Sequence, residues 1–395
     1  MIKIVLNPGK EEAIGRRHPW VFSGAIRKKS GPVTNGSLVE IFSSKQEYLG
    51  TGIYQEATIA IRIMAFAPER PGVLDQAFWK EKLEGAYLLR HALGLADSTH
   101  TNAYRLVHGE GDHLPGLIID HYDGHLVIQA HATGLYPYLE PISEALKEIY
   151  GERLRSIYNK SKDSQPGSAA SQEVTATPQP PAPAVLVKEH GHQFYVDIEK
   201  GQKTGTYLDQ RENRKLLTRY CKGKKVLNTF SYSGGFSVYA LKAEASLVHS
   251  VDSSANAIEL TDRNVALNMG PDAPHQSIKK DTLDYLHHME EEYDVIILDP
   301  PAYAKHNSAR HNAVQGYKRL NLEALKKIRK GGILFTFSCS QVVDKGLFRA
   351  TIMAAAIESG RQVRILHQLT QPEDHPVNIF HPEGEYLKGL VLFVE

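Results

Sequence analysis

The second half of the chain alternates two kinds of segment. Short apolar runs are separated by stretches of helix length that mix apolar and charged residues. The runs, all after Gly201, read KVLNTF, LVHSVD, YDVIILD and GGILFTFS. Strands that alternate with helices form a parallel sheet covered on both faces, and such strands are apolar throughout because neither face meets water. We therefore expect residues 201–395 to form a Rossmann-like α/β domain.

The first half of the chain has a different rhythm. Residues 1–70 contain short apolar runs between turn signals, which predicts a small β-rich domain. Residues 71–200 combine helical spacing over 76–95 with two strands around Tyr122-Asp123-Gly124, which predicts an α+β middle domain. Within it, residues 161–184 are rich in Pro, Ser and Ala and poor in bulky apolar residues, so we expect a flexible surface loop there.

Composition excludes several classes of protein. With 42% hydrophobic and 23% charged residues, the chain is typical of globular proteins rather than disordered or fibrous ones. No apolar run approaches the ~18 residues of a membrane span, and the N-terminus lacks the pattern of a secretory signal. Two cysteines cannot form a disulfide framework, which favours the cytoplasm. The 19 histidines lack metal-ligand spacing, so no metal site is predicted. Because the net charge is only +1, any contact with nucleic acid must come from local clusters of basic residues.

A glycine turn and three acids indicate a cofactor crevice. Gly234 lies in a turn between a strand and a helix, where a helix N-terminus can receive a ligand. Asp252 ends the next strand, the position from which an acid bonds ribose hydroxyls. Asp281 and Asp299 follow where the third and fourth strands should end, and the carboxyl ends of parallel strands meet in one crevice. The turn with Asp252 also suits NAD, and Asp281 alone is equally well explained as a helix N-cap.

Two prolines stiffen the chain after Asp299. Pro300 and Pro301 fix their own φ angles and hold the preceding residue out of the helical region. With Tyr303 they would form a rigid wall for a flat substrate, although Tyr303 could instead simply pack on the sheet. Ala302 separates the two prolines from Tyr303.

Together these motifs resemble class I methyltransferases of the RlmI type, the bacterial 23S ribosomal RNA 5-methylcytosine enzymes. The matching segments are GQKTGTYLDQREN, NTFSYSGGFSVYA, VDSSANAIELTDRNVALN, DTLDYL, ILDPPAYAK and FSCS. The resemblance covers nearly the whole chain, because LNPGKEEAIGRRHPWVFSGAI is similar to the start of their PUA domain and RLVHGEGDHLPGLIIDHYDGHLVIQ to their middle domain. The long stretch after Lys160 departs from the family, as does Gly384, where relatives often have Thr.

The resemblance implies S-adenosylmethionine (SAM) as the methyl donor. The cofactor-binding residues that it implies are Tyr207, Gln210, Arg211, Phe230, Tyr232, Gly234, Phe236, Asp252, Asp281, Thr282 and Asp299. The implied partner is large-subunit ribosomal RNA, naked or in an early assembly particle, and a homodimer stays open. The alternatives are methylation of another RNA base or of an exocyclic amine, a nicotinamide-dependent oxidoreductase, and a non-catalytic ribosome-binding protein.

Chemistry at carbon 5 of cytosine requires a nucleophile that first adds to carbon 6. Cys339, just past a predicted strand, lies where the family has this cysteine, although a lone cysteine there is otherwise a small buried hydrophobe. An ordinary thiol has a pKa of ~8.5, so the site should lower this value or the thiol should lose its proton when the substrate binds. The resemblance further implies that Asp299 hydrogen-bonds the edge of the cytosine.

The remaining expected contacts are with RNA. The segment RRHPW mixes charge for phosphates with an aromatic ring for stacking, and the resemblance implies RNA contacts for Arg16, Arg17 and Trp20. Each charge by itself is also explained as part of a solvated face. His375, in a segment similar to the closing loop of the family, is implied to face the substrate, with exposure to solvent as the alternative. Pro300, Pro301 and Tyr303 complete the implied substrate-binding set.

Overall fold

The computed structural model describes residues 1–161, 184–304 and 306–395. The predicted loop at 161–184 therefore lies, apart from its two end residues, outside the described residues. The chain divides into two compact units. Unit 1 consists of Met1–Val185, Val196–Thr206 and Glu373–Gly384, and unit 2 of Leu186–Tyr195, Tyr207–Pro372 and Glu385–Glu395. The domain boundaries predicted near residues 70 and 200 stay predictions.

Unit 1 begins with the β-rich region expected from the sequence. Its elements are β1 (Ile2–Leu6), α1 (Glu11–Gly15), β2 (Trp20–Phe22), β3 (Ile26–Lys29), β4 (Leu38–Phe42), β5 (Tyr48–Tyr54) and β6 (Ile59–Phe66). The strands form one six-stranded sheet in the order β2-β6-β5-β4-β1-β3. Ile4, Val39, Ile41 and Ile61 are fully buried in its core, as alternating strand residues on one face should be.

A second sheet of unit 1 carries two helices. The elements are α2 (Gln76–Ala92), β7 (Ala103–His108), β8 (Leu117–Tyr122), β9 (His125–Ala130), α3 (Leu139–Tyr150) and β10 (Ser156–Asn159), and the strand order is β10-β9-β8-β7. Strands β8 and β9 form the hairpin predicted around Asp123-Gly124. Asp75 caps α2 by accepting a hydrogen bond from the backbone N–H of Phe78. The helices bury Trp79, Leu83 and Leu146 against the sheet.

Unit 2 contains a hairpin followed by strands and helices in alternation. The hairpin pairs β11 (Val185–Glu189) with β12 (His192–Val196), each of which has one terminal residue in unit 1. The alternating elements are α4 (Arg211–Leu217), β13 (Lys225–Thr229), α5 (Gly235–Lys242), β14 (Leu247–Asp252), α6 (Ala255–Met269), β15 (His275–Lys279), α7 (Thr282–His288), β16 (Val295–Leu298), α8 (Arg310–Lys327), β17 (Gly332–Ser338), α9 (Lys345–Ser359), β18 (Val363–Leu369) and β19 (Lys388–Val394).

The sheet of unit 2 confirms the predicted α/β class. Its order is β15-β14-β13-β16-β17-β19-β18, in which the first five strands are parallel and β19 runs antiparallel to both of its neighbours. All four residues of β16 are buried, as expected for a strand covered on both faces. The helices pack in two groups, α4 with α5 and α6, and α7 with α8 and α9. No helix in the described part of the chain combines the length and apolarity needed to cross a membrane.

Candidate active site

Five parallel strands end at the same edge of the unit 2 sheet. Thr229 of β13 lies beside Leu298 of β16, and Leu298 lies beside Thr336 of β17. The chain order reverses between β13 and β16, because β14 and β15 lie on one side of β13 and β16 and β17 on the other. Ligands of open α/β sheets bind beyond the carboxyl ends of strands at such a switch point. The predicted acids and Cys339 follow these strand ends, so the fold brings them to one edge.

The turn after β13 has an unusual backbone. Phe230 and Tyr232 have positive φ angles of 53° and 46°, which residues with side chains rarely adopt, and Gly234 has a φ of 73°. A Cβ atom on Gly234 would approach Cγ2 of Thr261 to 2.8 Å, so only glycine fits there without a shift of neighbouring atoms. Strained backbone of this kind clusters at ligand sites. Phe236, the next predicted residue, is buried with its ring 5.8 Å from that of Phe337.

Asp252 anchors this turn to the strand beside it. One carboxylate oxygen accepts a hydrogen bond from the backbone N–H of Tyr232 at 3.0 Å, and the other accepts from the N–H of Ser254 at 2.9 Å. Each carboxylate oxygen has a further lone pair, so the group can still accept from ribose hydroxyls. The arrangement suits the role predicted for Asp252.

Asp281 caps a helix, as one of its two predicted explanations required. Its Oδ1 accepts from the backbone N–H of Asp284 at 3.0 Å, at the start of α7. Asp281 is exposed, and the neighbouring Thr282 is buried. The cap does not exclude a ligand, because it uses Oδ1 and the second carboxylate oxygen, Oδ2, can accept other hydrogen bonds. Cofactor contacts of both residues stay predictions.

The segment before α4 contacts the same strand ends. Gln210 donates from Nε2 to Oδ1 of Asp299 at 2.9 Å, and the ring of Tyr207 meets that of Tyr232 edge-on at 5.3 Å. Burial raises the pKa of the Tyr207 hydroxyl, and the nearby acids and the Cys339 thiol raise it further. Arg211, also predicted, is buried and donates from Nε to Glu212 at 3.0 Å. The segment is thus joined to Asp299 and lies within electrostatic reach of the cysteine.

The loops after β16 and β17 are tied to each other. Ser340 donates from its hydroxyl to the backbone carbonyl of Ala304 at 2.6 Å, and both residues are buried. Pro300 is buried and Pro301 exposed. Tyr303 packs its ring 4.6 Å from that of Tyr317, so the packing role that the sequence left open for it is present; a role in base stacking stays a prediction.

The two cysteines differ in their surroundings. Cys221 is fully buried, and burial raises the pKa of its thiol to about 12, so it stays a neutral hydrophobe at ordinary pH. Cys339 is partly exposed at the end of β17. Partial exposure beside polar groups is the setting in which thiols react.

One residue of this edge was missed by the sequence reasoning. Lys388, the first residue of β19, lies opposite Ser338 and donates from Nζ to the carbonyl of Ser340 at 2.6 Å. Burial lowers the pKa of Lys388 to about 8. No local pattern indicated that β19 pairs with β17, so nothing in the sequence brought Lys388 to the cysteine loop.

The predicted RNA contacts lie in unit 1. Arg16 and Arg17 are exposed, and Trp20 is half-buried, with its indole N–H donated to Oε1 of Glu110 at 2.7 Å. His375 is only 2% exposed, and its Nδ1 lies 3.2 Å from Oδ1 of Asp374. The solvent-exposed alternative for His375 is therefore wrong, because the segment carrying it packs into the core of unit 1.

A cluster of possible metal ligands also occurs in unit 1. One ligand atom from each of His18, His381 and Glu383 lies within 4.8 Å of the others. However, Nδ1 of His18 accepts a hydrogen bond from the backbone N–H of Trp20 at 3.2 Å. The neutral ring therefore carries its proton on Nε2, the atom that faces Glu383 at 3.6 Å. That tautomer offers a proton rather than a lone pair to a cation.

Comparison with known proteins identifies two domains. Residues 4–66 match a family of PUA-like domains, and residues 166–378 match a family of S-adenosylmethionine-dependent methyltransferases. The second match decides for SAM over the dinucleotide that the glycine turn alone also suited. Two solved structures share the fold and cover 100% of both chains: a protein from Streptococcus mutans described as a SAM-dependent methyltransferase, with a TM-score of 0.83 and 23% identity, and a methyltransferase complexed with SAH, with a TM-score of 0.84 and 24% identity.

Curated relatives match the chain over nearly its whole length. Ribosomal RNA large subunit methyltransferase I of Escherichia coli (strain K12) is 38% identical, and the alignment covers 98% of each chain. The same protein of Escherichia coli O157:H7 is equally similar. The chain is an S-adenosylmethionine-dependent methyltransferase and belongs to the family of ribosomal RNA large subunit methyltransferase I.

Proposed function

We propose that this enzyme methylates carbon 5 of a cytosine in large-subunit ribosomal RNA, with Cys339 as the covalent nucleophile. Its relatives are named for large-subunit ribosomal RNA. The observation that carries the chemistry is a partly exposed thiol at the end of β17, on a loop bonded to the one that follows Asp299-Pro300-Pro301. An amino-group methyltransferase has no use for a thiol at that point.

The residues at the sheet edge fit SAM. The strained turn from Phe230 to Gly234 leads directly into the start of α5, where backbone N–H groups can receive a polar group of a ligand. Asp252 would accept from the ribose hydroxyls, and the rings of Tyr207 and Tyr232 would border the cofactor. SAM, when bound there, supplies the methyl group.

Cys339 would begin the reaction on the cytosine ring. Its thiolate would form a bond to carbon 6, and the electrons of the carbon 5–carbon 6 double bond would move to carbon 5. Carbon 5 would then take the methyl group and leave S-adenosylhomocysteine. Asp299 accepts a hydrogen bond from the polar edge of the base, and a protonated or strongly polarised ring nitrogen there stabilises the negative charge that develops on addition. A base next removes the carbon 5 proton, the double bond re-forms, and the sulfur–carbon 6 bond breaks to return the thiolate.

Unit 1 would bind the RNA. Arg16 and Arg17 are exposed and available to phosphates, and the half-buried Trp20 presents part of its ring for stacking. The fourth implied contact, His375, is buried in unit 1, and we propose that it faces the substrate there. We further propose that the substrate is naked RNA or an early assembly particle, that the enzyme works in the cytoplasm, and that two copies can associate.

A methyl-transfer assay tests the proposal. Wild type, Cys339→Ala and the control Cys221→Ala are incubated with labelled SAM and large-subunit ribosomal RNA, and the methylated nucleoside is identified. We expect label in 5-methylcytidine, abolished by Cys339→Ala and kept by Cys221→Ala. Label in a methylated amino group would favour the alternative reaction.

Trapping on modified RNA tests the covalent step directly. A fluorine at carbon 5 cannot leave as a proton does, so RNA containing 5-fluorocytosine should hold the enzyme through Cys339. Mass spectrometry of the digested adduct would locate the bond. Full transfer by Cys339→Ala together with no adduct would rule out the covalent mechanism.

A further inference from the structure

Lys388 is a buried amine beside the cysteine loop. It is 4% exposed, and its single hydrogen bond to a described residue goes to the carbonyl of Ser340, at 2.6 Å. An ammonium group has three donors, so two of them have no acceptor among the described residues. A buried charge left partly unsatisfied is costly and is kept only where another charge compensates it.

The largest charge effects on Lys388 come from four groups. Three of them can carry a negative charge and one is positive: Cys339, Asp344, Glu385 and Lys345. Asp344 already accepts from the N–H of Leu347 as the cap of α9, and Glu385 is paired with Lys345. Burial is the largest influence on the pKa of Lys388 and lowers it to about 8, and the Cys339 charge is the largest influence in the opposite direction. Cys339 directly precedes Ser340, whose carbonyl accepts from Lys388 Nζ at 2.6 Å, so the chain also places the cysteine next to this amine.

We propose that the Lys388 ammonium stabilises the thiolate of Cys339 and so keeps the nucleophile in its reactive form. The inference rests on the proposed function, in which the Cys339 thiolate is the nucleophile. An opposite charge nearby favours the ionised form of a thiol, whose proton passes to solvent while Lys388 keeps its own. Lys388 is a positioning residue, since it acts on the base only through Cys339. Its bond to Ser340 also holds the loop that carries the sulfur.

The test measures the ionisation of Cys339 without RNA. The full-length enzyme is alkylated with iodoacetamide over pH 5 to 10, roughly the range in which thiols titrate, and the modified Cys339 peptide is quantified by mass spectrometry, which separates it from Cys221. Lys388→Met should move the midpoint up by about one unit, so that alkylation at neutral pH slows about tenfold. Lys388→Arg, which keeps the charge, should restore a midpoint close to that of wild type.

Lys345→Met is the matched control. This lysine lies near Lys388 but is half-exposed and paired with Glu385, so its loss should move the midpoint far less. Affinity for SAM reports whether each variant is folded. Should Lys388→Met lose SAM binding, Lys388→Gln takes its place, because it keeps a donor for the Ser340 carbonyl without the charge.

The outcomes separate this inference from the proposed function. An unchanged midpoint in a folded, uncharged variant would overturn the role of Lys388, whatever the transfer assay shows. A raised alkylation midpoint in Lys388→Met together with full methyl transfer by Cys339→Ala would support the electrostatic pairing and rule out the covalent mechanism.

Discussion

At the scale of single residues, Asp252 shows how one carboxylate serves structure and binding together. It receives backbone N–H groups from the turn after β13 and from the start of α6. Hydrogen bonds to a charged acceptor are stronger than those between neutral groups, so the strained turn is held in place before any ligand arrives. A preformed site loses less conformational freedom when it binds.

We expect Asp252→Ala to weaken SAM binding about tenfold to a hundredfold, because it removes the ribose acceptor and loosens the turn. Isothermal titration calorimetry measures the affinity. Asp272→Ala, at an exposed position after α6, is the control and should bind SAM as wild type does. Equal affinity of the two variants would contradict the assignment of Asp252.

At the scale of elements, the local sequence pattern was sufficient to predict strands and helices, because the residues of one element are neighbours along the chain. The strands around Leu227, Val251 and Ile297 were predicted because their apolar runs need two covering layers. The hydrogen bond from Ser340 to Ala304 joins residues 36 positions apart, and the one from Lys388 to Ser340 joins residues 48 positions apart. No periodicity encodes such distances, which is why Lys388 was missed and the burial of His375 was not foreseen.

The buried pair of Glu189 and Arg214 ties the hairpin to α4. Arg214 donates twice to the carboxylate, at 2.7 Å each, and also donates to the carbonyl of Tyr207 at 3.0 Å. Burial favours the neutral form of Glu189, but the Arg214 guanidinium outweighs it and lowers the pKa of that carboxyl. The pair therefore supports the segment that carries Tyr207 to the site.

We expect Arg214→Met to destabilise the protein by about 3 to 5 kcal/mol, because it leaves the buried Glu189 carboxylate without its ion-pair partner. The double variant Glu189→Leu/Arg214→Met should recover part of this loss, since no unpaired charge remains. Thermal unfolding measures both. A double variant less stable than Arg214→Met would show that the pair contributes through packing rather than charge.

At the scale of the whole molecule, many imidazoles are held neutral. Burial is the largest cause of a lowered pKa in a set of histidines spread over both units: His108, His121, His125, His131, His192, His249, His275 and His381. Below pH ~6.5 these histidines bind protons in the unfolded chain but stay neutral in the folded chain. Stability should therefore fall as the pH drops from about 6.5 towards 4.

His121 makes this measurable, because its pKa is lowered to about 4 from 6.5. Such a shift corresponds to about 3 kcal/mol of stability lost on full acidification. We expect a lower Tm at pH 5 than at pH 7.5, and a smaller difference in His121→Gln, which keeps a donor and an acceptor but cannot titrate. The same difference in both proteins would mean that other groups cause the acid sensitivity.

Unit 1 consists of three separate stretches of the chain, and this limits how early it can fold during synthesis. Asp374, which is fully buried, accepts the backbone N–H of Arg105 and, through its carbonyl, the guanidinium of the equally buried Arg90. Unit 1 lacks these partners until residue 374 has been synthesised, after nearly all of unit 2. Domains usually fold in order of synthesis, N-terminal first. Here vectorial synthesis gives unit 1 no such lead, because its last stretch, Glu373–Gly384, follows Tyr207–Pro372 of unit 2 along the chain.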